Sequence, residues 1–201
     1  MTLKEKSWRI LLFSDQYITM VTNTLEMAIK SGNPSVIISN NFISEKYFAN
    51  KIKYCDYSII ISLLFLFYHW IELVLKGFLL VLVKEDTDIN KIAHHNVIKL
   101  LKEFKNNFSN EKDIINFFEK YIKKNNMPNL LKMFFNKNNL SVRNYYNFFR
   151  YPLDKNFNIK YDYSIIQHTN KEGLTFFKDL LKDINRYKKH IVRLGRSLNN
   201  K

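Results

Sequence analysis

Over residues 4–30, apolar side chains recur with helical periodicity. Ile10, Phe13, Tyr17, Met20, Val21, Met27 and Ala28 fall largely on one face and predict an amphipathic helix. Ser31-Gly32 ends it, because glycine accepts the left-handed C-terminal cap. Asn33-Pro34 restarts the chain, asparagine being able to cap and proline suiting a first turn. The longest signal spans 44–83, and its second half, 57–83, is almost continuously apolar. About 20 apolar residues suffice to cross a bilayer, so a membrane span is one reading. His69, Glu72 and Lys76, spaced i, i+3 and i+7, interrupt that surface with a polar stripe. Charges at bilayer depth are costly, so the stripe favours the buried central helix of a bundle and no membrane span.

Glu85-Asp86-Thr87-Asp88 reads as a loop. Helical patterns resume over 91–107 and 111–124, Met127-Pro128-Asn129 breaks the chain, and shorter apolar helices follow over 130–136 and 140–149. After Arg150 the period changes. Phe157, Ile159, Tyr161, Tyr163 and Ile165 alternate with polar residues, which predicts a short extended or strand-like insertion near 156–166. Thr169 and Glu172 match a capping box opening a last helix that runs to about 194. The expected fold is a single all-α domain over 1–201, a bundle of five to seven helices with one extended insertion.

A length of 201 residues suits one domain that buries its own core. Lysine and arginine number 32 against 18 acidic residues, a net charge of +14. An acidic partner such as RNA, DNA or an anionic surface follows in principle. The positive charge is mostly lysine, in a chain also rich in Asn, Ile, Phe and Tyr, as an AT-rich coding sequence gives. A solvated lysine surface without a dedicated ligand is therefore the competing reading. The lone Cys55 excludes an internal disulfide and a four-cysteine zinc site, and suits a reducing compartment. The start MTLKEKSWRI lacks the pattern of a signal peptide, so a cytoplasmic location is expected. With 4 glycines no glycine-rich phosphate loop can be built. No metal or cofactor motif is present in the sequence.

Four groups of residues can carry chemistry. His94-His95-Asn96 precedes an apolar helical run; a histidine there can meet an anion at the helix start, or cap and pack. Glu72 and Lys76 form an i, i+4 pair in the favourable order, and can act at a site or simply neutralise each other inside the bundle. Arg143 and Arg150 bracket an aromatic stretch ending in Tyr151-Pro152. Arginine grips phosphate in two places and tyrosine stacks on bases, yet the same residues suit a helix end. Arg186 and His190 lie one turn apart on the last helix, as a phosphate-contacting face or as a solvated basic helix end.

Tyr68-His69-Trp70-Ile71-Glu72-Leu73-Val74-Leu75-Lys76-Gly77 resembles the E-L-x-x-K-(small) signature of the second helix in HEPN domains. His95-Asn96-Val97-Ile98-Lys99-Leu100 is similar to their H-(N/D)-L-x-x-L helix start, and Arg150-Tyr151-Pro152 to an R-Y-P that closes a later segment. The resemblance covers roughly 40–160 and implies an HEPN-like helical bundle. It further implies a bacterial anti-phage defence protein of the abortive-infection or toxin kind, acting on RNA or translation, often as a dimeric, metal-independent ribonuclease. A phage protein or an antitoxin would be a further partner. The usual ribonuclease motif, an arginine, four to six residues and then a histidine, is not matched: Arg186 and His190 enclose only three residues. A composite site of His95 and Arg150 takes its place as the catalytic expectation. Arg143, Tyr151, Arg186 and His190 would bind RNA or phosphate, and His69, Glu72, Lys76 and Asn96 would form a supporting polar cluster. The rival expectation is a non-catalytic module whose aromatic surface recognises a protein.

Overall fold

Thr2 and Glu5 open the first helix with a reciprocal cap: the threonine hydroxyl accepts from the Glu5 N–H, and the glutamate accepts from the Thr2 N–H. The computed structural model describes residues 2–34, 44–83, 89–90, 92–151 and 153–199. In chain order it contains α1 (Leu3–Ser31), α2 (Glu45–Ile52), α3 (Asp56–Leu80), α4 (Val97–Asn107), α5 (Lys112–Ile122) and α6 (Asn129–Lys137). A 3-10 turn (Val142–Asn144) then leads into α7 (Tyr145–Arg150) and, after an irregular stretch, α8 (Lys171–Asn199). The fold is all-α, with no strand among the described residues. The expected loop at 85–88 and Pro152 lie outside them.

Helix α3 is the centre. Most of its side chains are buried, from Ile60 to Leu80, because α1, α4 and α7 close around it and the α5 rings of Phe117 and Tyr121 pack on Phe67 and Trp70. Helix α1 runs antiparallel to α3, its start beside Gly77 and its end beside Asp56. The buried seam of α1 is not the face that its large apolar residues predict. Ser7, Ser14, Val21 and Ala28 repeat every seventh position, interleaved with Leu11, Ile18 and Leu25. Phe13, Met20 and Met27 are exposed instead. The reason is spacing. The Ser7 hydroxyl donates to the Gly77 carbonyl at 2.6 Å, and a Cβ on Gly77 would lie 2.7 Å from Leu11 Cδ2. Helices this close admit small residues at the seam, and an internally bonded serine costs little there.

The long apolar stretch at 44–83 is two helices, not one. The break at 53–55 is held from elsewhere in the chain: the Asn33 side chain accepts from the Asp56 N–H at 2.6 Å and so caps α3, which has no cap of its own at Cys55. By length and composition alone Glu45–Leu80 could cross a membrane; 56% of its apolar window is buried within the protein. This split, with the short α7, takes the count past the expected five to seven helices, to eight α-helices among the described residues.

Asp56 anchors that junction. Its carboxylate is 1% exposed and accepts from the His168 N–H (2.9 Å), the Thr169 N–H (2.7 Å), the Thr169 hydroxyl (2.6 Å) and the Asn33 amide (3.1 Å). The expected Thr169–Glu172 capping box is displaced, because Asp56 accepts from the Thr169 N–H that the glutamate would take. The Thr169 hydroxyl is donated to Asp56, and α8 begins at Lys171. Gly173 is required here, because a Cβ would fall 2.2 Å from Thr169 Oγ1 and 2.9 Å from Asp56 Oδ2.

The alternation at 156–166 also yields no strand. Asp154 accepts from the Asn156 and Asn158 N–H groups, Asp162 from the Ser164 N–H, and Phe157 adopts φ 62°. These side-chain turns capture the donors that a ladder would use. One isolated antiparallel bridge, Leu153 to Ile159, remains.

Asp56→Ala and Gly173→Ala are each expected to destabilise the chain by about 2 kcal/mol or more. The first strands buried donors and the second overpacks the junction. Urea denaturation monitored by circular dichroism measures both. A cost below about 0.5 kcal/mol for either, within the range of an ordinary surface substitution, would show that the junction is not an anchor.

Candidate functional site

Glu72 lies in the middle of α3 and is 1% exposed, so its carboxylate must find donors inside the protein. Lys76, one turn on, donates at 2.7 Å. The Tyr145 hydroxyl from α7 donates to Oε2. His95, just before α4, places Nδ1 3.0 Å from Oε1 and 3.1 Å from Oε2. Burial pushes the Glu72 carboxyl up, but the hydrogen bonds from Lys76 and Tyr145 and the charges of Lys76 and His95 outweigh it and hold it below its ordinary value.

An ionised carboxylate only accepts, so the His95 nitrogen facing it carries the hydrogen. In the neutral form of the ring, Nε2 then keeps its lone pair. The His95 side chain is 55% exposed, which puts that nitrogen within reach of a ligand. The imidazole stacks on Tyr146 (centroids 4.6 Å apart, 17° between planes). Arg150 bonds to the Tyr146 hydroxyl and sits 4.9 Å from the centre of the same ring and 5.2 Å from that of Tyr151. No acidic side chain pairs with Arg150 among the described residues. Most of its donor fork is available to a phosphate.

His69 extends the cluster inward. Its Nδ1 lies 3.3 Å from the Tyr145 hydroxyl, and its ring packs on Tyr17 and Phe65. Burial, opposed by Glu72 and helped by the His95, Lys76 and Arg150 charges, lowers its pKa.

The structure thus brings together His69, Glu72, Lys76, His95, Arg150 and Tyr151. It does not bring in the others. Asn96 caps α4, its side chain accepting from the Lys99 N–H at 3.2 Å. Helix α4 therefore starts at Val97 rather than at the expected 91. Arg143 is exposed on the 3-10 turn. On α8, Arg186 lies over the Tyr187 ring, and His190 is 3.6 Å from Asp113 on α5. Tyr145 and Tyr146, which join Glu72 to His95 and Arg150, were not singled out by sequence. Their signal is the run Arg143-Asn144-Tyr145-Tyr146, whose first tyrosine turns to the core and whose second stays half-buried. The chain matches no protein-family model, no curated protein and no solved structure.

Acid should loosen this cluster in two steps. His69 has a lowered pKa, so the unfolded chain takes the proton first and stability falls as pH drops below the ordinary 6.5. Glu72 also has a lowered pKa, so its contribution is complete above the ordinary 4.5 and is lost as pH falls through its folded value. Urea midpoints measured from about pH 8 down to about pH 2 should show both limbs in the native chain. His69→Gln should shrink the upper limb, to which His94 also contributes, and Glu72→Gln the lower, which it shares with Glu119. Native-like pH profiles in both variants would contradict the assignment.

Proposed function

We propose that this chain is an HEPN-like bundle of bacterial defence against phage, of the abortive-infection or toxin kind, and that it cleaves RNA at the Glu72–His95–Arg150 cluster. The observation that carries this reading is the orientation of His95. A buried carboxylate faces Nδ1 of a half-exposed imidazole, and the tyrosine ring on which that imidazole stacks also carries Arg150, which has no acidic partner among the described residues. A carboxylate that fixes the tautomer of a histidine leaves the far nitrogen basic, and a nearby guanidinium suits the charge that develops on a phosphate.

The reaction follows from those roles. His95 Nε2 takes the proton of a ribose 2′-hydroxyl, and the 2′-oxygen attacks the adjacent phosphorus. Arg150 stabilises the extra negative charge on the phosphoryl oxygens. The bond to the 5′-oxygen breaks, that oxygen takes a proton from water, the hydroxide so formed takes the proton held by His95, and a 2′,3′-cyclic phosphate remains. Glu72 stays ionised throughout and stabilises the imidazolium. In this reading the protein acts in the cytoplasm as a homodimer, and an antitoxin or phage protein would govern it.

The test is cleavage of single-stranded RNA in EDTA. His95→Ala should lower kcat by a factor of about 100 or more, the usual weight of a general base. Arg150→Ala should lose at least about tenfold in RNA affinity, equivalent to one charge-assisted contact. Thermal melts confirm that both variants fold. Cleavage at native rates in both variants would sink the assignment.

A second reading, a protein-interaction module, draws on one observation. Phe13, Met20 and Met27 leave an apolar stripe exposed on α1. It gains if charging that stripe abolishes the in-cell phenotype while His95→Ala and Arg150→Ala keep it.

A further inference from the structure

A cavity of about 870 Å³ opens between α4, the loop after α5 and the 3-10 turn. Its rim carries Lys102 and Lys105 of α4 with Lys123 and Lys124 of the loop, over an apolar floor that includes Met127 and Leu140. Among the described residues no carboxylate lines it. Glu119 answers Lys105 and Lys123 from behind the rim. Among the described residues the Lys102 and Lys124 ammonium groups have neither an ion pair nor a hydrogen bond. An electropositive, apolar-floored groove of this size is unlike a solvated lysine surface, where the charges stand apart over polar backbone.

Both walls of the groove lead to the site described above. Ile98, at one end, is in the first turn of α4, directly after His95 and Asn96. Ser141 and Val142, on the other wall, run into Tyr145, Tyr146 and Arg150. The α4 lining residues Ile98, Leu101, Lys102, Lys105 and Asn106 keep i, i+3, i+4 spacing, a track of about 12 Å along one face. We infer that this groove seats the backbone of single-stranded RNA and delivers it to His95 and Arg150, with Lys102 and Lys124 as the principal phosphate contacts. The inference rests on the RNA reading above and adds the strand form and the path. A duplex keeps its bases stacked inside, so only an unpaired strand can lay a base on the apolar floor while its phosphates meet the lysines.

The experiment measures fluorescence anisotropy of a short 5′-fluorescein-labelled oligouridylate in the His95→Ala background, with single-turnover cleavage in the native background. K102E/K124E should weaken binding by about tenfold or more and lower the log–log salt slope by about 1.4, the release expected from two phosphate contacts on a single strand. In the native background it should raise KM and leave kcat nearly unchanged, because the lysines bind without touching the reacting atoms. K178E/K182E, the same charge change at exposed lysines of α8 outside the groove, should bind within about twofold of its parent, since charges beyond a Debye length are largely screened. Equal losses in the two double variants would reduce the effect to net charge and overturn the groove. So would native binding by K102E/K124E, no binding of oligouridylate by the parent, or equally tight binding of duplex RNA of the same length. Binding that needs Lys102 and Lys124 in a protein that cleaves nothing would leave the groove standing and remove the ribonuclease reading alone.

Discussion

Helix α3 buries two carboxylates, Asp56 and Glu72, in a helix otherwise almost wholly apolar. A carboxylate can stay inside a protein only with several donors around it, and α3 supplies just one of them, Lys76. The two groups are 16 positions apart, which at α-helical geometry sets them about 24 Å apart along the axis and on nearly opposite sides. Asp56 draws in the end of α1 and the start of α8; Glu72 draws in the start of α4 and α7. Apolar burial drives the bundle together without direction, while these two acids fix which segments meet α3 and in what register. The candidate site is what that second demand leaves at the surface.

Helix positions were legible wherever one side of a helix is wet. Helices α5 and α6 lie within a residue or two of their periodic patterns, and the polar stripe at His69, Glu72 and Lys76 marked the side of α3 that meets α7 and the start of α4. The expectation that Glu72, Lys76, His95 and Arg150 lie together rested on His95 at a helix start, Arg150 at a helix end, Glu72 and Lys76 inside the central helix, and the family resemblance. What sequence did not disclose depends on distance across the bundle. The α1 seam carries serines because Gly77 brings α3 close, and periodicity weighs serine as polar. Thr169 with Glu172 has the spacing of a cap, but Asp56, 113 positions earlier, takes the hydroxyl. The alternating aromatics near 160 have no second strand to pair with, and alternation without a partner does not make a sheet.

The same remoteness explains why Tyr145 and Tyr146 escaped notice. Adjacent residues on a short helix point in different directions: Tyr145 passes beneath the surface to Glu72, and Tyr146 lies against His95 and Arg150. One dipeptide therefore couples the buried charge to the exposed base and cation. The coupling gives the imidazole and the guanidinium a shared aromatic support. A histidine at the end of a loop is otherwise free to rotate; here the carboxylate fixes one nitrogen and the stacked ring fixes the plane.

This arrangement makes stability and chemistry separable at some positions and not at others. Glu72 serves both, since it holds α4 and α7 to α3 and also sets the His95 tautomer, so its removal confounds the two. Tyr145 shares that double role through its bond to a buried charge, one of the stronger kinds of hydrogen bond. His95 and Arg150 stand outside the core, at the surface end of the network. They use the rigidity that the buried carboxylate imposes, and His95 adds to it as one of the groups facing Glu72. The interior therefore sets where the base points, and the exposed pair is left to meet a ligand. A half-exposed imidazole on a buried acid, sharing a tyrosine ring with an arginine that no carboxylate claims among the described residues, is an arrangement that packing alone does not require. A capping histidine would turn both nitrogens to backbone, and an arginine at a helix end would bond the last carbonyls. Neither does so among the described residues, which is why the site is read from these two side chains rather than from the basic surface as a whole.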